Sequence, residues 1–348
     1  MPWREFFIEK EPGFDETPGK DIRKLTYAEA VREAFDQALS LDKNVFIMGQ
    51  GVDDPLGMFG TTLGLQEKYG KERVFDTPLS EDALTGIAVG ASLVGMRPVY
   101  IHNRPDFLLL AMNQIVNHAS KWHYMFGGKV KVPLVIMATI GRGWGSAAQH
   151  SQAIHGLFMH VPGLRLVIPS TAYDAKGLLI NSIGGDDNPV IFIQHRGLIK
   201  HTGYVPEEVY TIPFGKGIVR KKGKDVTVVA ISYMVIEALR ADEKLKKDGY
   251  DIEIIDLRTL KPLDEEIILN SVKKTGKLII ADVGWKTGGV GAEISAIVAE
   301  KGIKYLKSPV KRIACLDIPT PSSYVLEEEF YPGVEEIINT VKELINDK

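Results

Sequence analysis

Cysteine is almost missing from this chain: Cys315 is the only one in 348 residues. A lone thiol closes no internal disulfide and cannot alone hold an iron–sulfur cluster or a zinc ion, so ferredoxin-linked chemistry is disfavoured and a reducing compartment is expected. Neither sign of charge dominates: 42 Lys and Arg stand against 45 Asp and Glu, for a net charge of -3. No run of basic residues interleaved with aromatics is present, so the electrostatic footprint of a nucleic-acid binder is absent. Long apolar runs are missing as well. None approaches the ~20 residues that cross a bilayer, and Met1-Pro2-Trp3-Arg4-Glu5 does not open as a secretion signal does. The expectation is a cytoplasmic protein with no nucleic-acid and no membrane partner. There is no low-complexity tract and no short-period repeat.

What is present is ordinary globular material, 45% hydrophobic and 25% charged, in a length suited to two domains. Residues 1–24 mix Pro, Gly and charge without period and read as an arm. Thr26 and Glu29 then form a capping-box pattern ahead of Tyr27, Ala30, Val31, Ala34, Phe35 and Ala38, one apolar face of a helix. Continuous apolar strands follow at Val45–Met48, Arg97–Ile101, Pro133–Ala138, Leu164–Ile168 and Pro189–Ile193. Helical stretches over 82–95, 105–124, 151–159 and 171–183 separate them. Such alternation predicts a parallel sheet covered on both faces. Pro- and Gly-rich text within 206–224 marks a linker, dividing a domain over 25–205 from one over 225–348. The second repeats the alternation, with strands at Val226–Ile231, Ile252–Asp256, Leu278–Asp282 and Val310–Cys315. The fold class is α/β, with two doubly wound domains.

Three side chains stand where such a sheet binds ligands. Glu81 follows the strand Val74-Phe75-Asp76 and precedes the small-residue helix beginning at Ala83, so it projects at the carboxyl edge. Phe107 follows Val99-Tyr100-Ile101, and His150 follows Leu134–Ala138 on a loop with three glycines, Gly141, Gly143 and Gly145. Each has a plainer role: Ser80 or Glu81 as a helix cap, Phe107 as core, His150 as a structural residue at a helix start. Their convergence on one edge is what favours function. A flat ring at Phe107 can stack on a heteroaromatic ligand. Gly86 and Gly90 permit close approach of another element, whether within the domain or across an interface. The loop spacing is not GxGxxG, which sets aside a Rossmann dinucleotide site.

With these pieces in view, the chain resembles the beta subunits of thiamin-diphosphate-dependent 2-oxo acid dehydrogenases, in the transketolase-like superfamily. The resemblance runs over nearly everything after the arm. It rests on Asp76-Thr77-Pro78-Leu79-Ser80-Glu81, Gly86-Ile87-Ala88-Val89-Gly90, Asn113-Gln114-Ile115-Val116-Asn117, Gln149-His150-Ser151-Gln152 and Pro162-Gly163-Leu164. In the second half it rests on Asp256 through Asp264 and Gly288-Gly289-Val290-Gly291.

The resemblance implies a pyrimidine-binding domain followed by a transketolase C-terminal-like domain. It implies oxidative decarboxylation of a 2-oxo acid with acyl transfer to lipoamide. Glu81 then matches the carboxylate that hydrogen-bonds a pyrimidine nitrogen of thiamin diphosphate, Phe107 the aromatic stacked on that ring, and Asn103 a further pyrimidine contact. His150 matches the histidine that assists the substrate or acyl transfer. The carbonyls of Leu134, Ile183, Asp186 and Asn188 match a structural monovalent-cation site, potassium in character. No Gly-Asp-Gly with a downstream Asn occurs to hold magnesium and the diphosphate; Gly184-Gly185-Asp186-Asp187-Asn188 has the wrong spacing. An alpha subunit is therefore implied, in a heterotetramer, with the second domain serving assembly and the docking of a lipoyl acyltransferase.

The chain also departs from the family. Gln50-Gly51 stands where an acidic pair is usual, His102-Asn103-Arg104-Pro105 replaces a more apolar stretch, and Arg142 and Trp144 give the His150 loop cationic and bulky character. Arg142 is a candidate for a substrate carboxylate or phosphate, against the plainer reading of a solvated loop arginine. A ketol transfer between sugars, as in a split transketolase, and a non-catalytic assembly subunit are the alternative functions. Growth of a sugar phosphate without release of carbon dioxide would select the first.

Overall fold

The protein is described here from a computed structural model, which covers residues 8–9, 23–54, 57–141 and 145–346. The chain divides into two compact units. The first runs to Ile140 and resumes over Phe158–Phe214, and the second takes Gly141–Leu157 and everything from Gly215 onward. Arg142 and Trp144 lie outside the described residues, as does most of the arm.

In the first unit, helix α1 (Tyr27–Leu41) begins with the capping box that its sequence spells: the Thr26 side chain accepts from the Glu29 N–H, and the Glu29 carboxylate accepts from the Thr26 N–H. Its face of Tyr27, Ala30, Val31, Ala34, Phe35 and Ala38 is fully buried, at roughly 1.5–3 kcal/mol for each large side chain. Strands β1 (Val45–Gly49) and β2 (Val74–Asp76) precede helix α2 (Glu81–Leu93). Then come β3 (Arg97–His102), β4 (Val135–Ile140), β5 (Arg165–Val167), helix α3 (Ala172–Ile180) and β6 (Val190–His195). They pair in parallel in the order β5-β6-β4-β3-β1-β2. Every residue of β3, β4 and β6 is buried, which is why their text is continuously apolar rather than alternating.

The second unit has β7 (Ile218–Lys221), β8 (Val226–Ala230), helix α4 (Tyr233–Leu245), β9 (Ile252–Asp256), helix α5 (Glu265–Thr275), β10 (Leu278–Trp285), helix α6 (Val290–Gly302), β11 (Lys311–Cys315) and helix α7 (Val334–Asn346). Its sheet runs β7-β9-β8-β10-β11, parallel except for β7, which is antiparallel to β9 at the edge. Strand β7 lies inside the stretch read as linker. Its lysine- and arginine-bearing text is that of a guarded edge strand.

Local differences have local causes. Strand β4 starts two residues later than expected because Pro133 has no N–H for the ladder. The expected helix over 105–124 is three segments: a 3₁₀ helix Pro105–Ala111, a π-helix Asn113–Ala119 and an α-helix Ser120–Met125. Proline at the start permits the first, and π segments occur mostly where function bends a helix. Between 151 and 159 only His155–Met159 is helical. Among the described residues, no helix is long and apolar enough to cross a membrane.

Candidate active site

In the first unit the chain leaves β1 for β2 on one side, while β3 leads to β4 on the other. The carboxyl ends of β1 and β3 therefore flank the point where the winding reverses, the place at which open α/β sheets bind ligands. Gly49 pairs in register with both Asp76 and Ile101, so the three strands end level. It has φ +150°, and a Cβ on it would stand 2.3 Å from the Ile101 carbonyl oxygen, so only glycine fits. Just beyond, the Gly51 N–H donates to Asp76 Oδ1 at 2.7 Å, and Asn103 Nδ2 donates to Gln50 Oε1 at 3.5 Å. Gln50 and Gly51 thus tie the strand ends together.

Glu81 is the first residue of α2 and is half-buried. Ser80 precedes it at the cap position without a side-chain capping bond, so the helix start is not explained by Ser80. Asn103 directly follows β3, and its Oδ1 is buried with no hydrogen-bond partner among the described residues. An empty buried acceptor costs about 1–3 kcal/mol, a cost that a ligand N–H would remove. Phe107 is half-buried in the 3₁₀ segment, along which α2 packs. Of the two helical glycines, Gly86 faces Gln114, whose amide carbon and oxygen would lie 3.5 Å from an added Cβ. Gly90 meets no described atom within 4 Å.

Two groups in β3 were not among the candidates read from the sequence. Tyr100 is 1% exposed, and burial, reinforced by the nearby Glu81 charge, pushes its hydroxyl up to about 12. His102 packs its ring 4.1 Å from Tyr100. Burial holds it down to about 3, and its Nε2 has no partner among the described residues. A tyrosine and a histidine two apart in one strand share one face, and that was the available signal. Arg104 lies over the Phe59 ring at 5.6 Å and donates to the Asn103 carbonyl at 2.9 Å, with burial lowering its pKa. A half-buried carboxylate, an empty amide acceptor and a half-buried aromatic on one sheet edge suit a flat heteroaromatic that carries an N–H donor and a ring nitrogen.

His150 belongs to the second unit. It is exposed, in a turn where its N–H meets the Ala147 carbonyl at 3.4 Å and Ala147 takes φ +55°. The segment after it is anchored: Ser151 is buried, and His155 Nε2 donates to Asp282 Oδ1 at 2.9 Å. Neither His155 nor Asp282 was singled out from sequence.

The four carbonyls proposed for a monovalent cation lie in the first unit. Arg97 Nε donates to the Ile183 carbonyl at 2.5 Å and Arg97 Nη2 to that of Asp186 at 2.7 Å, while the Leu134 carbonyl accepts the Val190 N–H at 2.9 Å. The side chain of Asn188 donates to Asp186 Oδ1 at 2.8 Å. Among the described residues, no group of three or more His, Cys, Asp or Glu could hold a metal ion.

Comparison with known proteins shows the family of the whole chain. Residues 23–202 match the family model of the transketolase pyrimidine binding domain, and 215–337 match that of the transketolase C-terminal domain. The chain is 42% identical over 321 residues to the pyruvate dehydrogenase E1 component subunit beta of Rickettsia bellii (strain RML369-C), covering 92% of this chain and 98% of that one. It is 39% identical over 337 residues to the acetoin:2,6-dichlorophenolindophenol oxidoreductase subunit beta of Bacillus subtilis (strain 168), covering 93% and 98%. To the 2-oxoisovalerate dehydrogenase subunit beta of the same strain it is 39% identical over 324 residues, covering 92% and 98%. A solved structure described as a split-gene transketolase, an inactive beta4 tetramer, matches with TM-score 0.74 over 92% of this chain and 98% of that one. At 24% identity it speaks for the fold.

Proposed function

Because the chain belongs to the transketolase-type family that includes the beta subunits of 2-oxo acid dehydrogenase E1 components, we propose that it activates thiamin diphosphate for oxidative decarboxylation of a 2-oxo acid. The observation that supports this reading is the placement of Glu81, Asn103 and Phe107 just past the carboxyl ends of β2 and β3 in the first unit's sheet. When bound, the cofactor supplies an acidic carbon that adds to the substrate carbonyl and takes up the electron pair released with carbon dioxide. Glu81 holds a proton at a pyrimidine ring nitrogen through a charge-assisted hydrogen bond of roughly 1.5–3 kcal/mol. The Asn103 amide oxygen accepts from an N–H on that ring, and Phe107 stacks on its face. His150 moves a proton on the substrate or acyl group.

Magnesium and the diphosphate are assigned to an alpha subunit, in a heterotetramer. Lipoamide on a lipoyl acyltransferase is the proposed acyl acceptor. A potassium ion at Leu134, Ile183, Asp186 and Asn188 has weaker support, because the carbonyls of Ile183 and Asp186 already face the positive charge of Arg97.

Relatives named for pyruvate, acetoin and 2-oxoisovalerate stand within a few points of identity of one another, which makes cleavage of a hydroxyketone such as acetoin the second reading. Both are tested on the complex that co-purifies with the chain. Turnover with an artificial electron acceptor is measured for a panel of 2-oxo acids and acetoin, in wild type, Glu81→Gln and Glu81→Ala. Turnover on the panel should fall about 10- to 100-fold in both variants, in line with loss of a charged hydrogen bond. Full turnover in Glu81→Ala would refute the role of Glu81, and the preferred substrate chooses between the two readings.

A further inference from the structure

The segment that carries His150 has no regular structure until the short helix at His155. One anchor of this loop is buried in the second unit, at His155. The His155 side chain is 1% exposed and that of Asp282 is 5% exposed; their Nε2 to Oδ1 distance is 2.9 Å. An ionised carboxylate accepts, so the hydrogen sits on Nε2. The Gly284 N–H also donates to Asp282 Oδ1, at 3.2 Å.

Strand β10 is built to receive this ring. Ala281 pairs with Ile313 and Trp285 with Cys315, so four steps along β10 are matched by two along β11. The resulting bulge spans the residues from Asp282 to Gly284. Bulges of this kind re-aim a side chain, and they are frequent beside active sites. Within the bulge, a Cβ on Gly284 would stand 3.0 Å from His155 Cε1 and 3.1 Å from the Ala153 carbonyl oxygen. The missing side chain at 284 is the space that the imidazole fills. The same segment passes near backbone at two further points. A Cβ on Gly145 would come 3.1 Å from the Ser322 carbonyl oxygen, and one on Gly156 would come 3.6 Å from that of Gly288.

We propose that His155 and Asp282 form a buried clamp that fixes the Gln149-His150-Ser151 segment on the bulge of β10 and so sets where His150 presents its imidazole. The clamp deepens the reading above and rests on His150 acting in the reaction. His155 and Asp282 are positioning residues: neither is offered to the substrate. The second unit then contributes to the chemistry through an ordinary strand, in addition to any part in assembly.

The test uses the complex with its partner subunit and variants His155→Ala, Asp282→Ala, Gly284→Ala and His155→Gln. Glutamine keeps an N–H donor near the place of Nε2, so it is the conservative variant. In His155→Ala, Asp282→Ala and Gly284→Ala, kcat should fall on the order of 10- to 100-fold, the scale of a misplaced catalytic group. Half-saturation by thiamin diphosphate should stay within about twofold, as its proposed pyrimidine contacts are untouched. His155→Gln should recover most of kcat. In a His150→Ala background, adding His155→Ala should cause no further loss.

Independently of activity, hydrogen exchange of the amides over 147–156 should quicken about tenfold or more in the alanine variants. An unchanged kcat in His155→Ala, an equal loss in the His150→Ala background, or unchanged exchange over 147–156 would each overturn the clamp. Full turnover in His150→Ala alone overturns the role of His150 instead, while accelerated exchange in His155→Ala would still mark the contact as structural. Where an alanine variant does not fold, His155→Phe and Asp282→Leu, which fill the space but cannot make the bond, carry the same comparison.

Discussion

His102 makes the stability of the first unit depend on acid in a way that one substitution removes. The ring is 3% exposed, and its pKa is held down to about 3 from its ordinary 6.5 by burial. Between those values the unfolded chain binds a proton that the folded chain refuses, so folding free energy falls as pH drops through 6.5 toward 3 and recovers as pH rises. Each unit of pH below 6.5 costs about 1.4 kcal/mol, so moving from above pH 7 to pH 5 costs about 2 kcal/mol through this residue. In His102→Phe the ring remains and the titration goes. Other carboxylates and histidines titrate alike in both proteins and cancel in the difference. Urea unfolding at pH 7.5 and pH 5.0, followed by circular dichroism, should therefore show the variant gaining about 2 kcal/mol on wild type over that interval. At neutral pH the variant should be no less stable, because the buried Nε2 without a partner is removed. A gap between the two proteins that does not change with pH would falsify the reasoning, as would a His102 proton resonance that titrates near pH 6.5.

Two further outcomes follow from single contacts. Gly163 has φ +91°, and an added Cβ would lie 1.9 Å from the Ser120 carbonyl oxygen. Gly163→Ala should then cost at least about 3 kcal/mol, read as a fall in the thermal midpoint, and a shift of under two degrees would contradict the contact. With the Ile183 and Asp186 carbonyls facing Arg97, exchanging potassium for sodium should leave turnover within about twofold and the thermal midpoint unmoved. A steep potassium dependence would instead establish the cation site.

The parts of the molecule legible in the sequence are those fixed by neighbours in the chain. Thr26 and Glu29 are three residues apart, and their capping box forms as written. The apolar runs at Arg97, Pro133 and Pro189 became strands, trimmed where proline interrupts the ladder. Glu81 starts its helix because Asp76 ends a strand just before it. What stayed hidden was set by distant partners. Asp282 is 127 residues from His155, and no local pattern joins them. Residues 151–154 read as helix by composition, yet the segment is drawn onto the β10 bulge instead. Ile218–Lys221 read as linker because an edge strand owes its conformation to β9 rather than to its own propensity.

That division bears on how the proposed site is held together. Glu81 and Asn103 are placed by the ends of β2 and β3, both hydrogen-bonded to the central strand β1, so moving them means disturbing the core of the first unit. His150 has no such ladder. Its segment is fastened through the buried His155–Asp282 hydrogen bond and through close backbone approaches at Gly145 and Gly284. The first arrangement fails only with unfolding, whereas the second can loosen while the fold stands. Substitutions in the second unit's bulge should therefore separate the two halves of the chemistry, slowing the steps assigned to His150 while leaving recognition of the pyrimidine intact. Substitutions at the strand ends of the first unit have no such route, and loss of cofactor affinity should accompany any loss of turnover there.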